Sequence, residues 1–383
     1  MSKFIYVQAQ SDHIASLAKA TPLAAIEELV WNALDADARE VRVDVLTNTL
    51  GGVEGVRVSD DGSGIDVIGV DSTFGSLGGS WKRTNTATGN LRRRLHGRHG
   101  RGRFKAFSLG TRVEWRTTVR AGKDLLSYAI SGTLENPGVF EISSVGQPGP
   151  HTGTEVCAFN SGLNCDSLLN AAECVQTLAS KFALYLKSYP DIRIYFNGLP
   201  VTPLIVQRNA IEVKFKNAKL EIIEWKRRFA GAGRLVFAGP DGFQLHETAC
   251  GVRSGGIPYT AYLISPRFPV LASENSLVLD ELNPEVRNFM DQTKAALKAH
   301  FASIGEDRGA AAVEGWQDEG SYPFADGEGD DKERKRFAKL AMELSERFES
   351  FRDLSKDDRK IVFHLLKHAM ADVEKGGLKE FLK

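Results

Sequence analysis

The stretch AAIEELVWNALDADA, residues 24–38, constrains this chain more than any other. Its apolar spacing is helical, with Leu23, Ile26, Val30 and Ala33 forming an apolar side. Thr21 and Pro22 just before it suit an N-cap and a first helical position, where a missing N–H does no harm. Yet Glu28, Asn32 and Asp35 follow one another at steps of four and three, which puts all three on one helix face. A solvated surface stripe is the plain explanation. The neighbouring motifs decide against it.

At 383 residues the chain is too long for one ordinary core, so two domains and an appendage are expected. Its 49 basic and 49 acidic residues balance, and bulk charge gives no argument for nucleic acid or an acidic membrane. No apolar run approaches the roughly 20 residues needed to span a bilayer. The opening MSKFIYVQAQ carries no secretory apolar region. Cys157, Cys165, Cys174 and Cys250 show no C-x-x-C pairing and read as buried, reduced thiols. A soluble cytoplasmic protein without a membrane partner is expected.

After the first helix, EVRVDVLTN and EGVRVSD alternate like half-buried strands around the Gly51-Gly52 turn. Residues 66–96 are Gly-rich, then basic, and suggest a long functional loop with short helices. GRFKAFSLG begins as a helix, and RVEWRTTV, LLSYAISG and GTEVCAF follow as strands. The pattern predicts an α/β (α+β) first domain over 1–160, a mixed sheet with helices on one face. A long helix over 165–188, a hairpin at the Asn-Gly of DIRIYFNGLPV and further strands predict a second α/β domain over 161–304. Its last helix starts at Asn283-Pro284 and reaches about Ile304. Residues 305–331 read as an acidic, Gly-rich linker. Residues 332–383 read as a tail of two amphipathic helices, too small to form a large core alone.

Three further motifs stand near the helix in sequence. SDDGSGI ends a strand in Asp60 and Asp61, followed by Gly62 and Gly64, which permit sharp turns and close approach. An aspartate there suits an exocyclic amine, although an ordinary Asp-Gly turn has the same letters. HGRHGRGRFKAF places Gly97, Gly100 and Gly102 before a helical run, a cradle for phosphate oxygens. It lacks the Lys-Ser/Thr of a P-loop and the strand that precedes a dinucleotide fingerprint. Gly153-Thr154 opens a strand late in the first domain.

In this order the four motifs resemble the GHKL superfamily: gyrase B subunits, chaperones of the ninety-kilodalton heat-shock class, histidine kinases and MutL, with MORC proteins as relatives. The resemblance covers residues 20–160. ELVWNALDADA resembles the N-box, DDGSGI the adenine-binding motif, GRHGRGRFKAF the glycine motif at the lid end, and GTEV the last motif of the fold. It implies a Bergerat-type α/β sandwich, followed by a transducer-like α/β domain and C-terminal helices. It implies ATP and Mg²⁺ as ligands. Asn32 would hold the metal, Asp60 the adenine amine, Gly62 and Gly64 the approach of base and water, Gly97, Gly100 and Gly102 the phosphates, and Thr154 the adenine-side hydrogen bonds. Glu28 falls at the general base, and Asp35 orients its neighbours. Asp61 competes with Asp60, but the spacing to both glycines favours Asp60. Lys82, in the lid, is a candidate phosphate contact, with a solvated lid lysine as the simpler alternative.

Within this resemblance a carboxylate at Glu28 implies hydrolysis rather than phosphate transfer to a histidine, because the histidine kinases of the superfamily usually lack one there. The activity implied is an ATPase whose lid closes and whose N-terminal domains dimerise on Mg-ATP. The sequence does not choose a second-domain cation among Lys214, Lys216, Arg253, Arg267 and the DQTK run, 291–294, which falls in an expected helix. The basic lid, with Arg92, Arg93, Arg94, Arg98, Arg101, Arg103 and Lys105, admits phosphate attraction or contact with nucleic acid; the interleaved glycines favour the former. Downstream, the chain resembles the ATPase part of a DNA-handling or defence machine, with a chaperone-like remodeller or a non-catalytic ATP-sensing scaffold as alternatives.

Overall fold

The computed structural model describes residues 16–75, 88–89, 91–96, 102–144, 149–229, 232–278, 283–325 and 327–374. The polar-striped helix forms as α1, Pro22–Asp35. Thr21 caps it by accepting the Ala24 N–H at 3.3 Å, and Pro22 occupies the first turn. Asp37, in the left-handed region at φ 64°, ends it, and the Ala38 N–H folds back onto Ala33 O at 3.1 Å.

The chain builds an eight-stranded sheet in the order β5-β4-β3-β6-β2-β1-β7-β8. Its strands are β1 (Glu40–Thr47), β2 (Val53–Asp60), β3 (Arg112–Ala121), β4 (Asp124–Thr133), β5 (Phe140–Ser144), β6 (Gly153–Phe159), β7 (Arg193–Phe196) and β8 (Leu199–Pro200). Seven strand pairings would close such an order; β1 with β7 is parallel and the others are antiparallel, so the sheet is mixed. Two-residue alternation sends Val41, Val43, Val56, Val58, Val113, Trp115, Val156 and Ala158 into one core with Ile26, Leu29, Val30 and Leu34 of α1. Arg42, Arg57, Arg112 and Arg116 lie on the opposite face, paired with Glu40, Glu155 and Glu114. This is the expected α/β sandwich.

Between β2 and β3 in the chain lie α2 (Val70–Gly75), the single turn α3 (Gly102–Lys105) and a 3₁₀ turn, Ala106–Ser108. The helix α4, Ala171–Ser188, buries Phe182 and Tyr185 in the first core. Its Ala183 and Leu184 pack instead on Ile223, Trp225, Val236 and Tyr262 of a second sheet. That sheet has the order β12-β11-β13-β10-β9, from β9 (Gln207–Lys214), β10 (Lys219–Trp225), β11 (Arg234–Ala238), β12 (Gln244–Ala249) and β13 (Tyr259–Ile264), with the short α5 (Pro203–Val206) before β9 and α6 (Phe268–Ser273) after β13 in the chain.

The structure moves the expected boundary at residue 161. The hairpin β7–β8, assigned above to the second domain, completes the first sheet, because Ile194 and Phe196 extend its apolar face beside Val41 and Val43. The chain divides into two compact units, 1–250 with 258–283 and 251–257 with 284–383. Strands β5, β9 and β12 had not stood out in the sequence.

In the second unit the expected linker is corrected. Residues 305–318 continue α7, which runs Pro284–Asp318. Ala, Glu, Asp and Arg there sustain the helix despite Gly305, Gly309 and Gly315. The tail also has a core of its own. Trp316, Tyr322 and Phe324 gather on Phe337 of α8 (Asp331–Arg347) and Phe363 of α10 (Lys356–Glu374), with the short α9 (Glu349–Arg352) between those helices. The aromatic residues within the acidic segment make this possible. Among the described residues no helix is long and apolar enough to cross a membrane.

Candidate nucleotide site

The four motifs, scattered over about 130 residues of chain, are stitched together by short polar contacts. The C-terminal end of α1 meets the DDGSG loop where the Ser63 N–H donates to Ala36 O at 2.7 Å. Gly62 is required by this contact, since a Cβ there would lie 2.7 Å from Ala36 O and 2.9 Å from Asp60 Oδ1. At Gly64, φ is +78° and a Cβ would lie 2.4 Å from Thr118 O. Both glycines therefore serve close packing of the chain on itself, a role that the expectation of ligand approach did not contain.

The two aspartates of the loop divide their work. Asp61 Oδ1 accepts the N–H groups of Arg39 and Glu40 at 2.7 and 2.8 Å, which fixes the start of β1. Asp60 Oδ1 accepts from Gly62 N at 2.8 Å and Thr154 N at 3.3 Å. Burial pushes the Asp60 carboxyl up to about 6, against the downward pull of those two donors. Gly153 lets β6 come this close, because a Cβ there would lie 2.2 Å from Asp60 O. Thr154 is buried, and its hydroxyl lies 3.1 Å from that of Thr117. Thr117 in turn accepts the Ile65 N–H at 2.9 Å, and Tyr128 Oη donates to Ile65 O at 2.6 Å. An open cavity of about 280 Å³ adjoins this end of the site, lined by Asp60, Thr117, Tyr128, His151 and Thr154 among others.

Residues 91–96 and the turn α3 also contact α1. Asp35 is buried and its Oδ1 accepts the His96 N–H at 2.8 Å. Trp31 stacks on the His96 ring at 4.5 Å and also packs on Phe182, Tyr185 and Phe243. Arg93 is buried and donates to Ala38 O at 2.8 Å. The Arg94 guanidinium lies over the Phe243 ring at 5.3 Å. Arg103 lies over the Phe104 ring at 4.4 Å, and burial pulls its guanidinium down to about 10.

Glu28 faces α3. Its Oε2 accepts from Lys105 Nζ at 3.0 Å, and its Oε1 would lie 2.1 Å from a Cβ at position 102. Glycine at 102 thus admits the carboxylate against the lid-end turn. The adjacent Glu27 has Lys181 and Glu247 as its main charged neighbours; desolvation by burial raises its carboxyl above the usual range. Asn32 is half-buried between Glu28 and Asp35 on the α1 face.

Among the sequence-predicted site residues, Glu28, Asn32, Asp35, Asp60, Gly62, Gly64, Gly102 and Thr154 come together around α1 and the ends of β2 and β6. Lys82, Gly97 and Gly100 lie outside the described residues, as do Arg98 and Arg101. The DQTK run lies within α7, as its periodicity implied. Sequence reasoning passed over Thr117, Tyr128 and the pairing role of Lys105. For Lys105 a signal existed, its position three residues after Gly102 on the same short helix. Thr117 and Tyr128 enter only through the pairing of β3 with β6 and β4.

Residues 20–133 match the sequence model of the family described as histidine kinase-, DNA gyrase B-, and HSP90-like ATPase. That match spans under a third of the chain and makes this N-terminal region similar to GHKL-type ATPases. Among solved structures it is similar to the ATPase domain of the mismatch repair endonuclease MutL from Aquifex aeolicus. The identity is 15%, over 64% of this chain and 90% of that one, with a TM-score of 0.38. It is also similar to the Aquifex aeolicus MutL ATPase domain complexed with ADP, at 16% identity over 66% and 95% of the two chains and a TM-score of 0.36. No curated protein matches the chain significantly.

Proposed function

We propose that this protein binds ATP with Mg²⁺ and hydrolyses it, using the nucleotide to close its lid and to bring two copies together through their N-terminal regions. The observation that carries this reading is the contact among the four motifs: Ser63 on Ala36 at the end of α1, Thr154 on Asp60, His96 on Asp35 and Gly102 with Lys105 on Glu28. A solvated stripe would have no reason to be gripped at both Glu28 and Asp35.

In this reading Asp60 accepts the exocyclic amine of adenine, backed by Thr154 and, through Ile65, by Thr117. Asp35 holds the lid end on α1. Glu28 orients the attacking water and receives its proton. Gly102 stands beside Glu28, and Gly97, Gly100 and Lys82 complete the phosphate surroundings. Asn32 would hold Mg²⁺ through its amide oxygen. Among the described residues no cluster of three or more His, Cys, Asp or Glu suits a metal. A lone amide on α1 fits an ion held chiefly by phosphate oxygens and water. Mg²⁺, when bound, supplies charge neutralisation at the phosphates.

Arg93, Arg94, Arg103 and Lys105 are all engaged with the protein itself, which supports the lid reading over a nucleic-acid surface. Glu28, held at the site by an ion pair, supports hydrolysis over a purely sensing scaffold. A role within a DNA-handling or defence machine goes with this assignment, and a chaperone-like role is its competitor. The test is ATP turnover of the wild type and Glu28→Ala, with and without DNA, beside mass measurement with a non-hydrolysable analogue. Glu28→Ala should keep nucleotide binding and lose turnover by about 100-fold or more. Normal turnover in that variant sinks the assignment. DNA stimulation of the wild type separates DNA handling from remodelling.

A further inference from the structure

The turn α3 grips Glu28 from both sides. At Gly102 the backbone approaches so closely that Oε1 sits where a Cβ would be, 2.1 Å from its ideal position. Three residues on, and so on the same face of the turn, Lys105 donates to Oε2 at 3.0 Å. The Glu28 side chain is 15% exposed and that of Lys105 38%, so the lysine is the more open member of the pair. We propose that Lys105 reads the terminal phosphate of the bound nucleotide while positioning the Glu28 carboxylate beside it.

This assignment rests on the nucleotide reading above, and three arguments lead to it. A water oriented by Glu28 lies one hydrogen bond from the carboxylate, and the four-carbon stem of a lysine spans that separation. An ammonium has three donors, and the bond to Glu28 uses one of them. Three other described cations near it face the protein itself: Arg93 donates to Ala38 O, Arg94 lies over the Phe243 ring and Arg103 over the Phe104 ring. A point charge at Lys105 distinguishes a triphosphate from a diphosphate because only the former extends to Glu28. Its dual contact also ties the placement of the base to the placement of the lid end, through Gly102 and Lys105 of one helical turn.

The experiment is calorimetric titration of ADP and of a non-hydrolysable ATP analogue, each with Mg²⁺, into the full chain. Wild type, Lys105→Met and Lys105→Arg are compared, with turnover measured in parallel. The wild type should prefer the analogue. Lys105→Met should weaken the analogue about tenfold or more and leave ADP within about twofold, because the lost charge-assisted bond faces only the terminal phosphate. Its kcat should fall more than its KM rises, and Lys105→Arg should recover most of the analogue preference. Unchanged discrimination in Lys105→Met overturns the proposal, as does an equal loss of ADP and analogue, or a wild type without preference. A wild type that binds neither nucleotide overturns the nucleotide reading as well, which separates that failure from a failure of Lys105 alone.

Discussion

Asp35 holds the lid end to α1 by accepting the backbone N–H of His96 at 2.8 Å, directly beside the Trp31–His96 ring stack. Asp35 is buried, so losing its carboxylate leaves a part-buried N–H without this acceptor. Asp35→Ala is expected to cost about 1–3 kcal/mol and to speed hydrogen exchange at the His96 amide. Asp35→Asn retains an oxygen acceptor and should restore much of that protection. Equal protection in wild type and Asp35→Ala would refute the tether.

Neighbouring carboxylates should give opposite phenotypes. Asp61 Oδ1 takes two backbone donors at the start of β1, so Asp61→Ala should lower stability by about 2–3 kcal/mol while the folded fraction still binds ADP. Asp60→Ala should abolish ADP binding in a protein that still melts cooperatively. Chemical denaturation paired with calorimetry reads both effects. The reverse assignment would appear as loss of binding in Asp61→Ala alone.

The raised Asp60 carboxyl predicts two pH trends of opposite sign. With its midpoint at about 6, the group is ionised and accepting at pH 7 and largely protonated at pH 5. Affinity for adenosine, which carries no phosphate to titrate, should therefore fall about tenfold from pH 7 to pH 5. The stability contribution runs the other way. An unfolded aspartate titrates near 3.9, so between about 4 and 6 the folded state binds more protons, and lowering pH through that window favours folding. The Asp60 contribution to stability is thus fully present below about 4 and lost as pH rises through about 6. Adenosine affinity that is flat or rises toward pH 5 would contradict the role given to Asp60.

Gly102→Ala tests the contact with Glu28. The new Cβ would meet Glu28 Oε1, Cδ and Cγ, at 2.1, 2.7 and 2.8 Å. These atoms belong to the end of a flexible side chain, so the carboxylate should swing away rather than the fold give way. Stability is expected to change by less than about 1.5 kcal/mol, with ADP binding kept and turnover falling by about 100-fold. Wild-type turnover in this variant would show that the Glu28 position is not set by residue 102.

Much of the site was legible along the chain because its chemistry is local there. Steps of four and three residues put Glu28, Asn32 and Asp35 on one face of any helix they occupy, and Thr21-Pro22 marks where that helix starts. The choice of Asp60 over Asp61 rested on a spacing, and the contacts that set the two apart are tertiary: Asp61 accepts from Arg39 and Glu40, while Thr154 arrives at Asp60 from a strand 94 residues away. The same holds for the fold. Alternation marked β1, β2 and β6, yet nothing local says that β7 should lie parallel to β1 and close the first sheet. That pairing is decided by which apolar faces share one core, Ile194 and Phe196 with Val41 and Val43.

Composition misled where tertiary contacts override it. The Gly-rich, acidic run after Ile304 reads as a linker, but helix α7 continues to Asp318, and Trp316, Tyr322 and Phe324 build a core with Phe337 and Phe363. Periodicity, capping and motif spacing are properties of neighbours in sequence, and they were enough to define α1, its polar stripe and the likeness of the N-terminal region to GHKL-type ATPases. The grip of Gly102 and Lys105 on Glu28, the double use of the DDGSG glycines and the placement of β7 depend on groups brought together by long-range burial. Only the folded chain decides those, because the free energy that selects them comes from surfaces that meet after the local elements have formed.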